Sequence, residues 1–141
     1  MDMQLPVGSL MVADPVCVRV GEPLSRVREL LAEHAFNHLP VVSDQGGLVG
    51  ILSAADLAQV SLDAWVADAD TVSAELDATF ELAAVMTHEP VTASPDTTLR
   101  QAAELLGDGG FHSLPVVSSD GTLVGMLTST DLLRHLARQH R

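Results

Sequence analysis

The sequence predicts an α+β protein made of two β-α-β-β-α motifs that pack sheet to sheet about a pseudo-twofold axis. Three observations predict it. The 141-residue chain repeats itself: Met11 to Leu57 aligns without a gap on Met86 to Leu132 at a fixed offset of 75, and 20 of these 47 positions are identical. Each copy carries a helical apolar pattern followed by strand, tight turn, strand and a second helix start. Such a unit leaves one sheet face bare, and two units cover each other around a shared core. Two copies of this length are too few and too long for a stacked solenoid.

Residues 1–10 read as a lead-in punctuated by Pro6 and Gly8, with Ser9 expected to cap a turn through Leu10, Met11 and Val12. Asp14 to Val20 reads as a short strand. Pro23 suits the first position of a helix, where its missing N–H costs nothing. Leu24, Val27, Leu30 and Leu31 then recur at helical spacing, and the helix is expected to end near His34. His38 to Val42 and Leu48 to Leu52 form a hairpin turning at Gly46-Gly47. Ser53 stands at the N-cap of a helix running on through Leu57 and Val60. A connector at 61–83 is rich in Ala, Leu and Glu and reads as helical; it holds Trp65 and Phe80, and Trp65 is expected on the core or at a subunit contact. The second copy repeats the plan. Its Gly107-Asp108-Gly109-Gly110 replaces Ala32-Glu33-His34-Ala35, which predicts a helix that ends early and a looser approach to Phe111 and His112. The expected organisation is therefore motif one at 9–60, connector at 61–83 and motif two at 84–137.

Composition narrows the function classes. The net charge is −12 and all seven basic residues are arginine. Such a surface repels phosphate backbones and anionic membranes, so neither nucleic acid nor membrane is an expected partner. No apolar run spans a bilayer and the N-terminus has no basic or long apolar segment, so a cytoplasmic protein is expected. The single cysteine, Cys17, excludes an internal disulfide. Its valine neighbours suggest a buried strand position, and a small core residue is the simpler reading than a nucleophile.

The motif with chemical content is Gly-hydrophobic-hydrophobic-Ser/Thr-x-x-Asp, written as Gly50-Ile51-Leu52-Ser53-Ala54-Ala55-Asp56 and as Gly125-Met126-Leu127-Thr128-Ser129-Thr130-Asp131. The hydroxyl falls at a helix N-cap, where backbone N–H groups and the dipole favour an anion. The carboxylate falls one turn in on the same face, where it can accept two hydrogen bonds from a vicinal diol such as a ribose. The same spacing is also an ordinary N-capping arrangement with an acid in the first turn.

Taken whole, residues 9–60 and 84–137 resemble a tandem pair of cystathionine-β-synthase-type (CBS) domains. The resemblance rests on Met11-x3-Pro15-Val16 and Met86-x3-Pro90-Val91, on Leu-Pro-Val-Val at 39–42 and 114–117, and on the two Ser/Thr-x-x-Asp ends. It implies a stand-alone regulatory module that binds an adenosyl ligand (AMP, ADP, ATP or S-adenosylmethionine) in clefts between the motifs. It also implies a homodimer that signals to a partner protein, with no cofactor required and an adenine nucleotide as the expected ligand. By this likeness Asp56 and Asp131 hold the ribose, with Ser53 and Thr128 near phosphate or ribose. Asn37, His38, His112 and Ser113 occupy the place where the family contacts phosphate. Adenine lies near Val16, Cys17, Leu39 and Pro40, and near Val91, Thr92, Leu114 and Pro115. The family often has Arg or Lys before the Leu-Pro-Val-Val strand and this chain has neither, which weakens the hold on a multiply charged phosphate.

Other readings have less behind them. Six histidines form no metal-ligand pattern, although His38 or His112 would suit a pH-sensitive phosphate contact. No nucleophile elbow, P-loop or zinc-protease motif is present, so no enzyme activity is expected. Arg134, Arg138 and Arg141 make the C-terminal tail basic, which suits the end of a helix. The alternative function is a ligand-free structural or dimerisation protein of the same fold.

Overall fold

The computed structural model describes residues 2–34, 37–61, 81–109 and 111–139. Most of the connector at 61–83, with Trp65 and Phe80, lies outside the described residues, as does Phe36. The elements are a 3-10 turn (Val7–Ser9), β1 (Val12–Ala13), β2 (Val18–Arg19), α1 (Leu24–His34), β3 (His38–Val42), β4 (Leu48–Ser53) and α2 (Ala54–Ser61). Then come α3 (Leu82–Val85), β5 (Thr87–His88), α4 (Leu99–Gly109), β6 (Ser113–Val117), β7 (Leu123–Thr128) and α5 (Ser129–Gln139). Among the described residues no helix is long and apolar enough to cross a membrane.

The chain divides into two compact units, and they are not the two sequence copies. One is Val16–Pro90; the other joins Met1–Pro15 to Val91–Arg141. The first unit holds a four-stranded sheet in the order β2-β3-β4-β5, the second a three-stranded sheet in the order β1-β7-β6. Each sheet thus ends on a strand borrowed from the lead-in of the other copy. In the first, β5 pairs antiparallel with β4 through Gly50↔His88 and Ile51↔Thr87. In the second, β1 pairs antiparallel with β7 through Ala13↔Gly125 and Val12↔Met126. The four pairings are related by the 75-residue offset.

Glycine permits both borrowings. A Cβ at Gly50 would lie 2.6 Å from the Met86 sulfur and 2.8 Å from the Thr87 carbonyl oxygen. A Cβ at Gly125 would collide with Met11 in the same way. Asp14 and Glu89, also 75 apart, both adopt φ of 48°. This is the left-handed region, which a short side chain such as that of Asp14 tolerates and which costs the longer Glu89 more. These residues turn the chain just before Pro15 and Pro90, where it passes from one unit to the other.

Each unit has its own core, and the cores use the same positions. Leu24, Leu39 and Leu52 are fully buried in the first, and Leu99, Leu114 and Leu127 in the second. Each such side chain contributes about 1.5–3 kcal/mol of burial free energy. The borrowed lead-ins supply core residues too: Leu82 and Met86 enter the first core, and Val7 the second.

Several local expectations are corrected. Ser9 does not open a turn; its hydroxyl donates to the Pro6 carbonyl at 2.7 Å and closes the 3-10 turn before it. The strand expected over Asp14 to Val20 shrinks to Val18–Arg19, because Asp14 turns left-handed and only residues from Val18 find a partner in β3. Cys17 is consequently exposed. The glycines do not end the second helix early: α4 runs to Gly109, 11 residues like α1. Leu99, Ala102 and Leu106 anchor its apolar face, and the Phe111 ring lies where a Gly109 Cβ would stand.

Candidate functional site

The hairpin registers bring the candidate residues together within each unit. Antiparallel pairing sets His38 opposite Ser53 in the first unit and Ser113 opposite Thr128 in the second. Directly opposed residues point to the same face of a sheet, with Cβ atoms about 5 Å apart. The segment before each first strand is tied to the helix start. The Ala54 N–H donates to the Asn37 carbonyl at 2.8 Å, and the Ser129 N–H donates to the His112 carbonyl at 2.9 Å. Strand entry, capping hydroxyl and carboxylate therefore form one cluster in each copy.

Both helix starts are complete capping boxes. The Asp56 N–H donates to Ser53 Oγ at 2.9 Å, and the Ser53 N–H donates to Asp56 Oδ2 at 3.0 Å. In the second copy the Asp131 N–H donates to Thr128 Oγ1 at 3.1 Å, and the Thr128 N–H donates to Asp131 Oδ2 at 2.9 Å. This reciprocal pattern satisfies two backbone donors at each helix start. One carboxylate oxygen of each aspartate is thus structural, while Oδ1 stands outside the cap. All four side chains are half-buried, so they reach solvent as well as the cap.

The apolar candidates separate by burial. Leu39 and Leu114 are fully buried and serve the cores, and Pro40 and Pro115 beside them are also buried. Val16 is half-buried against the first core, whereas Val91 is 47% exposed. His112 is exposed; His38 is half-buried. Ser113 is the one buried polar residue among those described, at 6% exposure. Sequence reasoning placed it near phosphate but did not foresee its burial, which depends on what covers both faces of β6.

A separate cavity of about 380 Å³ is lined by Cys17, Arg19, Glu22, Val42, Ser43, Asp44 and Gly46. Val42 closes β3 and His38 opens it, so the cavity lies about 13 Å along the strand from the cap. Its charged lining sums to −1: Arg19 is accompanied by Glu22 and Asp44. Burial, and then Glu22, push the Cys17 thiol up from its ordinary value against a smaller opposing effect of Arg19, so it is not an activated thiolate. Among the described residues no group of three His, Cys, Asp or Glu converges on a metal position. The His88 ring shares a 2.7 Å hydrogen bond with the Ala83 carbonyl.

Comparison with known proteins agrees with this architecture. Over 125 residues the chain is 34% identical to the inosine-5′-monophosphate dehydrogenase of Mycobacterium tuberculosis, covering 88% of the chain and 21% of that enzyme. The curated relatives it matches run to about four times its length, so the match concerns only their corresponding part. Among solved structures, CBSX2 of Arabidopsis thaliana, crystallised with AMP, is 29% identical with a TM-score of 0.81, covering 96% of this chain and 98% of that one. The CBS domain of a membrane protein from Sphaerobacter thermophilus is 31% identical with a TM-score of 0.77, covering 94% and 88%. The CBS domain model matches residues 7–63 and again 82–138, and the chain belongs to the CBS domain family as a tandem pair.

Proposed function

We propose that this protein is a regulatory module that binds an adenosine-containing ligand and passes its occupancy to a partner protein. The observation that carries the reading is the duplicated cluster of capping hydroxyl, strand-entry residue and carboxylate at Ser53/His38/Asp56 and Thr128/Ser113/Asp131. An Asp Oδ1 outside the cap is an acceptor for a ribose diol. The relative CBSX2, of the same length and fold, was crystallised with AMP, which supports the ligand class. Val16 and Cys17 in one unit, and Val91 and Thr92 in the other, lead into the strands beside Leu39-Pro40 and Leu114-Pro115 and are proposed to border the adenine. The module is proposed to act as a homodimer in the cytoplasm and to carry out no chemistry itself.

Binding to the native state raises stability by about 2.7 kcal/mol at a ligand concentration 100 times Kd. Melting curves and calorimetry with adenosine, AMP, ATP and S-adenosylmethionine are therefore expected to show a rise in Tm and saturable heat for at least one of them. Asp131→Ala is expected to weaken second-copy binding by about tenfold or more, as loss of a charged hydrogen-bond acceptor does. Its loss of the cap costs about 1 kcal/mol of stability, which leaves the fold in place for the comparison. Silence of all four compounds, or unchanged binding in Asp131→Ala, would favour the ligand-free structural alternative. The complete capping boxes are the observation in favour of that alternative, because they give the motif a purely structural use.

A further inference from the structure

We infer that the cavity beside β2 and the β3–β4 turn binds a free basic amino acid, a small molecule with one carboxylate and two cationic groups. Arg19 takes the carboxylate, and Glu22 and Asp44 take the cations. The site is independent of the adenosine site proposed above: the cavity of about 380 Å³ is lined by none of His38, Ser53 and Asp56. Its volume falls within the range of small-molecule pockets, about 300–1,000 Å³.

The fold does not need these charges. The second copy builds the same backbone frame with neutral side chains: Ser94, Thr97 and Ser119 stand where Arg19, Glu22 and Asp44 stand in the first. The Arg19 N–H donates to Glu22 Oε2 at 2.7 Å, and the Ser94 N–H donates to Thr97 Oγ1 at 2.9 Å. The Ser43 N–H donates to the Gly47 carbonyl at 2.8 Å, and the Ser118 N–H to the Thr122 carbonyl at 2.9 Å. Gly46 and Gly121 both take φ of 87°. A hydroxyl therefore closes the first of these turns as well as a carboxylate does. The frame accounts for one oxygen of Glu22, and for neither the Arg19 guanidinium nor the Asp44 carboxylate.

The three charges leave each other room. Arg19 forms no ion pair with Glu22 or Asp44, although all three line one cavity; the ion pair nearest in sequence is Arg26–Glu29. Glu22 and Arg19 act in opposite senses on the Cys17 thiol, so both charges reach one part of the cavity. Arg19 and Asp44 are exposed and Glu22 is half-buried, so all three are open to a ligand from solvent. A lining of one guanidinium and two carboxylates mirrors a ligand with one carboxylate and two cationic groups. The guanidinium fork matches a carboxylate with two parallel hydrogen bonds. Ser43 Oγ accepts from the Gly47 N–H at 3.2 Å and keeps its own proton to donate to that carboxylate. A phosphate would meet two carboxylates here, and a plain diamine would leave Arg19 unanswered.

The test is a residue-resolved NMR titration of the full chain, following the amides of Arg19, Ser43 and Gly46. The probes are L-lysine, L-norleucine, which lacks the side-chain ammonium, and cadaverine, which lacks the carboxylate. Lysine is expected to bind roughly three- to tenfold more tightly than either, the scale of one partly exposed charge pair. Raising salt is expected to narrow both gaps. Arg19→Gln is expected to abolish the preference over cadaverine while keeping that over norleucine, and Asp44→Asn the reverse. Both changes fall at exposed positions whose second-copy counterparts are serines, so the fold tolerates them. The corresponding second-copy amides, Ser94, Ser118 and Gly121, are expected to stay still. No saturable shift with millimolar lysine overturns the inference, as does norleucine or cadaverine binding as tightly as lysine. Equal shifts in both copies, or loss of both preferences together in either variant, overturn it as well. Each of these failures leaves the adenosine-sensing function standing, because that function is read with other ligands at Asp56 and Asp131.

Discussion

At the scale of single residues, this protein uses short polar side chains to finish its turns and helix starts, and the same atoms define the candidate sites. Asp56 and Asp131 each give one oxygen to the backbone of their own N-cap residue. Asp120 does comparable work in the second hairpin turn, where Gly121 takes φ of 87°. Its carboxylate accepts from the Ser118 hydroxyl and, at 3.1 Å, from the Thr122 N–H. These bonds, the Ser118 hydroxyl first, hold the Asp120 carboxyl below its ordinary value. A depressed carboxyl favours the folded turn above the unfolded-state pKa, near 3.9, and loses that contribution as pH falls through the lower folded value. Carboxyl carbon NMR is expected to show Asp120 titrating below the midpoint of an unstructured aspartate, and Ser118→Ala is expected to raise it. A midpoint at or above the peptide value would contradict the hydrogen-bonded turn.

At the scale of elements, the borrowed strands are the main device. β1 and β5 are two residues each, too short to hold a sheet edge by hydrogen bonds alone. They are held because Met11 and Met86 settle onto Gly125 and Gly50, where the flexible thioether fills the space a Cβ would take. Gly50→Ala forces the Met86 side chain and the Thr87 carbonyl outward together, and the backbone carbonyl has little room to give. It is expected to cost about 1–3 kcal/mol, the range for overpacking, read as a lower urea midpoint. Gly21→Ala, at a position where a Cβ meets nothing within 4 Å, is the control and is expected to leave the midpoint nearly unchanged. Equal effects of the two would remove the close approach as the reason for Gly50.

At the scale of the whole molecule, two copies make two units only by exchange. A half-chain cut in the connector keeps β2, β3 and β4 but loses β5, Leu82 and Met86, so it lacks an edge strand and part of its core. The other half loses β1 and Val7. Residues 1–72 expressed alone are expected to give poorly dispersed amide spectra, and mixing them with residues 73–141 is expected to restore the dispersion of the intact chain. A folded isolated half would show the exchange to be dispensable.

The sequence by itself determined the repeat, both long amphipathic helices, the hairpins with their glycine turns, and the capping residues Ser53, Asp56, Thr128 and Asp131. Each of these is a local pattern: a helical period, a strand alternation, or a cap spacing within four residues. Only the tertiary structure decided that Met11 belongs to the sheet of the second copy and Met86 to that of the first. The sequence offset relates these residues to each other but carries no information on which glycine receives them. The same holds for Cys17, placed outside by a strand that starts one residue later, and for Ser113, buried beside Thr128. Burial is set by what arrives from distant parts of the chain, and a two-residue strand has no period from which that arrival can be read.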